Sequence, residues 1–245
     1  MSAGSLLVAA LTALPPHGGV LPGEAAAYDA MLASQARTAN NVFAGSVCAD
    51  AKAEPVSIRQ WKIVDHPELI VWREKVRVTG CGHTAIENVN IGRVDGSPPW
   101  RMTTGLPGDS LADMTLQASA FPAATAEART GLAAECQSVS LSDVYVAALP
   151  GGVDVTPSGA PTPHVHGRLT MGLPDTAMPM LDKLALSEAW MEVWPLNICG
   201  HDRTLGVVFI PMRDHSASMY FFLPIWPQIE ANGPGARPAA VSLPE

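Results

Sequence analysis

WREKVRVTGCGH, residues 72–83, returns as WMEVWPLNICGH at residues 190–201, with Trp, Glu, Cys, Gly and His at the same five places. Val78 faces Leu196 in a gap-free match. Self-similarity of this kind bears on architecture before any residue propensity does, because repeated units reuse one packing solution. Downstream, Val89-Asn90-Ile91 stands opposite Val207-Val208-Phe209, and Val94-Asp95-Gly96-Ser97 opposite Met212-Arg213-Asp214-His215. Both stretches read as strand, turn, strand, with Asp95-Gly96 as a hairpin-turn signal because glycine accepts positive φ. The second arms run from Met102 to Pro107 and from Met219 to Pro224.

Upstream of each copy lies an alanine-rich stretch ending in cysteine, Ala25 to Cys48 and Leu116 to Cys136. Each reads as a helix, the second with its start marked or kinked by Pro122. The fold expected from these signals is α+β: two tandem repeats, each an N-terminal helix on a small antiparallel sheet. Repeat 1 covers 28–110 and repeat 2 covers 111–231. A Pro/Gly-rich insertion at 150–180 reads as an elaborated loop, a class of segment that is often functional when ordered. The tail 232–245 reads as extended.

The chain has 245 residues, 47% of them hydrophobic, and a formal charge of -8. That charge, without a Lys/Arg cluster, excludes a nucleic-acid footprint. Ser5 to Leu14 is an apolar run too short to span a bilayer, followed by small residues at Ala25-Ala26-Ala27, and residues 1–27 read as a signal peptide that lacks a basic start. No other segment has the length of uninterrupted apolar residues that a membrane span needs. The expected location is the periplasm or outside the cell.

Cys48, Cys81, Cys136 and Cys199 fall two per copy at matching places. An even count fits disulfides in an oxidising compartment. Three pairings are compatible with the duplication, and proximity along the chain favours Cys48 with Cys81 and Cys136 with Cys199. The alternative takes Cys81, His83, Cys199 and His201 as a Cys2His2 zinc site.

Alternation places Ile70, Trp72, Glu74, Val76 and Val78 on one face of a strand, with Arg73, Lys75 and Arg77 on the other. In the second copy Trp190, Glu192, Trp194, Leu196 and Ile198 share a face. A carboxylate on an apolar face must find hydrogen bonds, a cation or a proton. The structural reading gives Glu74 and Glu192 backbone amides or an arginine such as Arg101 or Arg203. The functional alternative makes them a carboxylate pair for hydrolysis.

Glu192-x-Trp194-x-Leu196-x-x-Cys199-Gly200, followed by Val207-x-Phe209-x-Pro211, resembles a group of small exported proteobacterial proteins of unassigned function. That group carries Glu-x-Trp-x-Val-x-x-Cys-Gly and then a Val-x-Phe-x-Pro strand. The first copy departs from the pattern with Val76 in place of Trp and Arg93 in place of Pro. The resemblance implies export and a fold, and brings no catalytic residues with it.

His164 and His166 form His-Val-His in the proline-rich connection, where an extended backbone would turn both imidazoles the same way. With Met171, Met178 and Met180 nearby they are the candidate copper or zinc ligands. No nucleophile elbow, phosphate loop, dinucleotide fingerprint or His-Glu-x-x-His motif occurs. The expected function is an exported envelope module for binding or assembly, an accessory subunit with a protein partner and no cofactor. Tyr220 to Trp226 offers aromatic area to the core or to that partner.

Overall fold

A computed structural model describes residues 24–62, 69–94, 101–156, 169–173 and 175–224. The first helix, α1 (Ala25–Phe43), buries Tyr28, Leu32 and Ala36, a stripe at four-residue spacing. It lies on a sheet of four strands, β1 (Lys52–Lys62), β2 (Leu69–Gly80), β3 (His83–Val94) and β4 (Arg101–Thr104), in the order β1-β2-β3-β4 with every pair antiparallel. Trp72, Val76 and Val78 of β2 join Val89 and Ile91 of β3 against the helix. Alternation on β2 therefore has the face expected for it, since a two-residue side-chain period leaves one side for the core.

The second helix, α2 (Met114–Ala128), is followed by the short strands β5 (Val139–Leu141), β6 (Tyr145–Ala148), β7 (Val153–Thr156) and β8 (Leu169–Gly172). Two 3-10 segments, Asp175–Lys183 and Leu186–Glu188, lead into β9 (Trp190–Ile198), β10 (His201–Pro211) and β11 (Ser218–Pro224). Strand β9 pairs β10 on one edge and both β5 and β6 on the other, while β10 pairs β11. β7 and β8 form a separate parallel pair.

The α+β expectation of two tandem helix-on-sheet repeats is corrected by this architecture. Among the described residues the chain is mainly β, with eleven strands in three sheets against two α-helices. The two halves differ in build. The eleven-residue edge strand β1 precedes the first Trp-Glu strand, whereas the three-residue β5 and the four-residue β6 share that edge in the second half. The insertion read as a loop contributes β7, β8 and a nine-residue 3-10 segment.

That added layer changes what the second sheet buries. Trp194, Leu196, Ile198, Leu205, Val207 and Phe209 pack on Ala120, Ala124 and Ala128 of α2. On the opposite face Met191, Val193, Val208 and Ile210 pack on Val153, Met171, Leu173, Ala177 and Leu184. A strand covered on both sides reads as a continuous apolar run, as Val207-Val208-Phe209-Ile210 does.

Both Cys-Gly pairs are hairpin turns. Gly80 pairs His83 and Ile198 pairs His201, so that Cys81-Gly82 and Cys199-Gly200 are the complete two-residue loops. Their φ values, 47° and 82° in the first and 51° and 84° in the second, are those of a turn with both central residues left-handed. A cysteine in that conformation costs about 1 to 2 kcal/mol, and here each is tied by its sulfur to the chain after or near a helix end. Cys48 bonds Cys81 and Cys136 bonds Cys199, both with Cα atoms 5.9 Å apart. Replacing Cys136 and Cys199 together by alanine is expected to lower unfolding stability in urea by about 2 to 4 kcal/mol; a midpoint equal to that of the parent would remove the bridge from the account.

Pro122 lies inside α2 and does not mark its start. The helix begins eight residues earlier, where Asp113 caps it by accepting from the Leu116 amide at 2.8 Å. A cap side chain supplies an acceptor for first-turn amides that have no helical partner. The hairpin signal at Asp95-Gly96, the signal-like run Ser5–Leu14 and the tail from 232 lie outside the described residues.

Candidate functional site

The two strand glutamates sit at the same step of their strands and are held differently. Glu192 is wholly buried on the α2 side of β9. Its Oε1 accepts from the Leu111 amide at 2.8 Å, the Ala112 amide at 3.1 Å, the Ser110 hydroxyl at 3.0 Å and the Trp190 indole at 3.2 Å. Its Oε2 is 2.9 Å from the Ser110 hydroxyl and accepts from the Trp194 indole at 3.1 Å. Gln117 closes the cradle, donating to Ser110 Oγ at 3.2 Å and to the Ala112 carbonyl at 2.8 Å while accepting from the Leu106 amide at 2.8 Å.

Such a set satisfies a buried carboxylate by hydrogen bonds, a condition under which a buried charge is tolerated. Glu192→Gln is expected to cost about 2 kcal/mol at neutral pH, because one amide NH2 would face donors and find no acceptor. Thermal melting checks this, and an unchanged midpoint would mean that the cradle contributes nothing to folding.

Glu74 is buried under α1. The Tyr28 hydroxyl donates to its Oε1, and the Trp72 indole lies 3.1 Å from the same oxygen and 2.9 Å from the tyrosine oxygen. Burial, and then the Glu74 carboxylate, push the Tyr28 hydroxyl well above its ordinary range, so it stays a donor. Each glutamate is thus engaged by the tryptophan two residues before it and by groups from its own helical layer.

The face of the first sheet away from α1 carries Arg73, Lys75, Asn88 and Asn90, and it docks the segment that precedes α2. Asn88 donates to the carbonyls of Leu106 and Gly108, both at 2.7 Å. Arg73 donates to Asn90 at 2.9 Å and reaches the Ser110 carbonyl at 3.5 Å, and Lys75 pairs with Asp109. Burial lowers the Arg73 guanidinium and the nearby Arg59 charge lowers it further, while Glu192 opposes both. Residues 105–113 therefore connect the polar face of one sheet to the carboxylate of the other.

Glu87 was not singled out from the sequence, although Ala85, Glu87, Val89 and Ile91 alternate on one face of β3. It is wholly buried, opposite Val76, and neither carboxyl oxygen has a hydrogen-bond partner among the described residues. Burial pushes its carboxyl up to about 8, with the charge of Asp143 adding to the shift. Asp143 in turn accepts from the Ile86 amide at 3.0 Å, joining β3 to the strands of the second half.

The Cys2His2 set is not assembled. Cys81 and Cys199 are each spent in a separate disulfide, and His83 Nε2 lies 3.1 Å from Asn40 Oδ1. His164 and His166 lie outside the described residues. Met171 belongs to the core, and Met178 is exposed.

An open cleft of about 400 Å³ lies where the first turns of α2 meet the β10–β11 connection. Thr115, Ser119, Ser216 and Ser218 are among its lining residues, together with Asp113, and Leu116, Pro211 and Ala217 supply apolar wall. His215 stands at its edge with φ 54°, its Nδ1 3.8 Å from Glu188. No pattern in the sequence marked these residues, because they come together only when Ser218 follows β10 back toward α2. Compared with protein-family models, curated proteins and solved structures, the chain matches none.

Proposed function

We propose that this chain is an exported envelope protein, periplasmic or secreted, whose work is binding or assembly as an accessory subunit of a larger complex. The observation that carries the reading is the pair of disulfides, each tying a hairpin turn to the segment after a helix, since such bonds persist in oxidising compartments. No helix among the described residues is long and apolar enough to cross a membrane.

Glu192 is saturated by donors that hold it in one place, which supports a role in building the fold rather than in moving protons. The cleft at α2 supplies a concave surface for a partner segment, with polar groups to fix it and apolar wall to bury against. Cell fractionation tests the compartment: the protein should appear in the envelope or culture fluid of its host with no thiol open to alkylation after denaturation. Recovery in the cytoplasm with four alkylated cysteines would overturn the proposal.

A further inference from the structure

The two disulfides are chemically unequal. Cys48 Sγ lies 3.2 Å and Cys81 Sγ 3.5 Å from one carboxylate oxygen of Asp50, and the three ligand atoms fall within 4.8 Å of one another. At the other bridge the contact is neutral, Cys199 Sγ lying 3.8 Å from the Ser138 carbonyl. We propose that reduction of Cys48–Cys81 creates a binding site for one thiophilic divalent cation, zinc being the type case, with Cys48, Asp50 and Cys81 as ligands.

The step balances with a dithiol as reductant. Its two sulfurs close into a disulfide, their two electrons and two protons pass to Cys48 and Cys81, and the cation then displaces both protons on forming two metal–sulfur bonds. Two thiolates and a carboxylate crowd three negative charges together, and a divalent cation relieves that repulsion. Zinc accepts sulfur and carboxylate donors in a tetrahedron, and a site with three protein ligands keeps a fourth position open. Asp50 and Cys81 are exposed, so that position faces solvent.

The ligands are placed by more than the disulfide. A Cβ on Gly80 would stand 2.8 Å from both Cys48 Sγ and the Ala51 Cα, so the residue 48–51 loop packs directly on the end of β2. The Cys48 amide donates to Asn41 Oδ1 at 3.0 Å, and Lys52 pairs Thr79 across β1 and β2. These backbone anchors do not need the sulfur–sulfur bond. Metal and disulfide are mutually exclusive states of one site, and oxidation would release the cation.

Titrating the full chain with cobalt(II), before and after reduction by a phosphine, tests this. The reduced protein should bind one equivalent with thiolate-to-cobalt charge-transfer absorption, lose it to zinc, and bind at least tenfold more weakly as Asp50→Asn, whereas the oxidised protein should show no such band. Zinc should also slow alkylation of Cys48 and Cys81 relative to Cys136 and Cys199. No band in the reduced chain, a band that survives Cys48→Ser, or equal protection of all four cysteines would overturn the proposal. So would a reduced chain that unfolds and does not recover its far-ultraviolet spectrum with zinc.

Discussion

Raising the pH from about 5 to about 8 is expected to weaken the fold by about 1 kcal/mol for each unit through Glu87 alone. The carboxyl rises from an ordinary 4.5 to about 8 in the folded protein. Between those values the folded chain keeps a proton that the unfolded chain has lost, so the contribution is complete below about 4.5 and disappears as the pH climbs through about 8. The main cause is burial of the carboxyl away from water, with the charge of Asp143 opposing ionisation further. Glu87→Gln removes the titration: urea unfolding at a series of pH values should show the difference between the two proteins narrowing steadily and the variant gaining on the parent toward pH 8. Parallel stability curves over that range would mean that Glu87 ionises in the folded state as it does in water.

Gly108→Ala should be among the most damaging substitutions in the chain. Gly108 has φ 83°, and an added Cβ would lie 2.3 Å from the Val144 carbonyl oxygen and 2.6 Å from its amide nitrogen. Here two backbones touch: Gly108 bridges Val144, donates to the Ile86 carbonyl at 2.6 Å, and accepts from Asn88. Backbone strain and overpacking together are expected to cost about 2 to 5 kcal/mol. Gly82→Ala is the control, since Gly82 has φ 82° and nothing within 4 Å of the new Cβ, leaving only the conformational cost of about 1 to 2 kcal/mol. Equal urea midpoints for the two variants would show that the contact between Gly108 and Val144 carries no weight.

The side-chain alternation along β2 was legible because it is local. The alternation of Trp72, Glu74, Val76 and Val78 placed those side chains on one face, and the first cysteine pairs with the second and the third with the fourth. Features decided by distant contacts were not legible. The burial of β9 and β10 on both faces depends on β7, β8 and the 3-10 segments, whose strands are four residues long and carry weak periodicity. Pro122 misplaced the start of α2 because a proline inside a helix and one at its first turn look alike when the Asp113 cap is overlooked. Cys81-Gly82 hid a hairpin turn, since cysteine is a rare first residue for a turn whose two central residues are both left-handed.

The candidate site divides the same way. Glu192 could be found as an acid on an apolar face, and its cradle of Ser110, Leu111 and Ala112 could not, because those residues are some eighty positions away. Glu87 was within reach of the same alternation argument applied to β3. The α2 cleft has no local signature at all.

The proposed function joins export, which the disulfides support, to association through that cleft. Ser119 and Ser218 line it, and Ser119→Trp with Ser218→Trp would fill it from the helix side and the strand side. The measurement is the size of the native protein in a gentle extract of its host, parent against double variant. The parent should travel in an assembly and the folded variant alone; a parent that already travels alone, or a variant that stays in the assembly, would sink the proposed association.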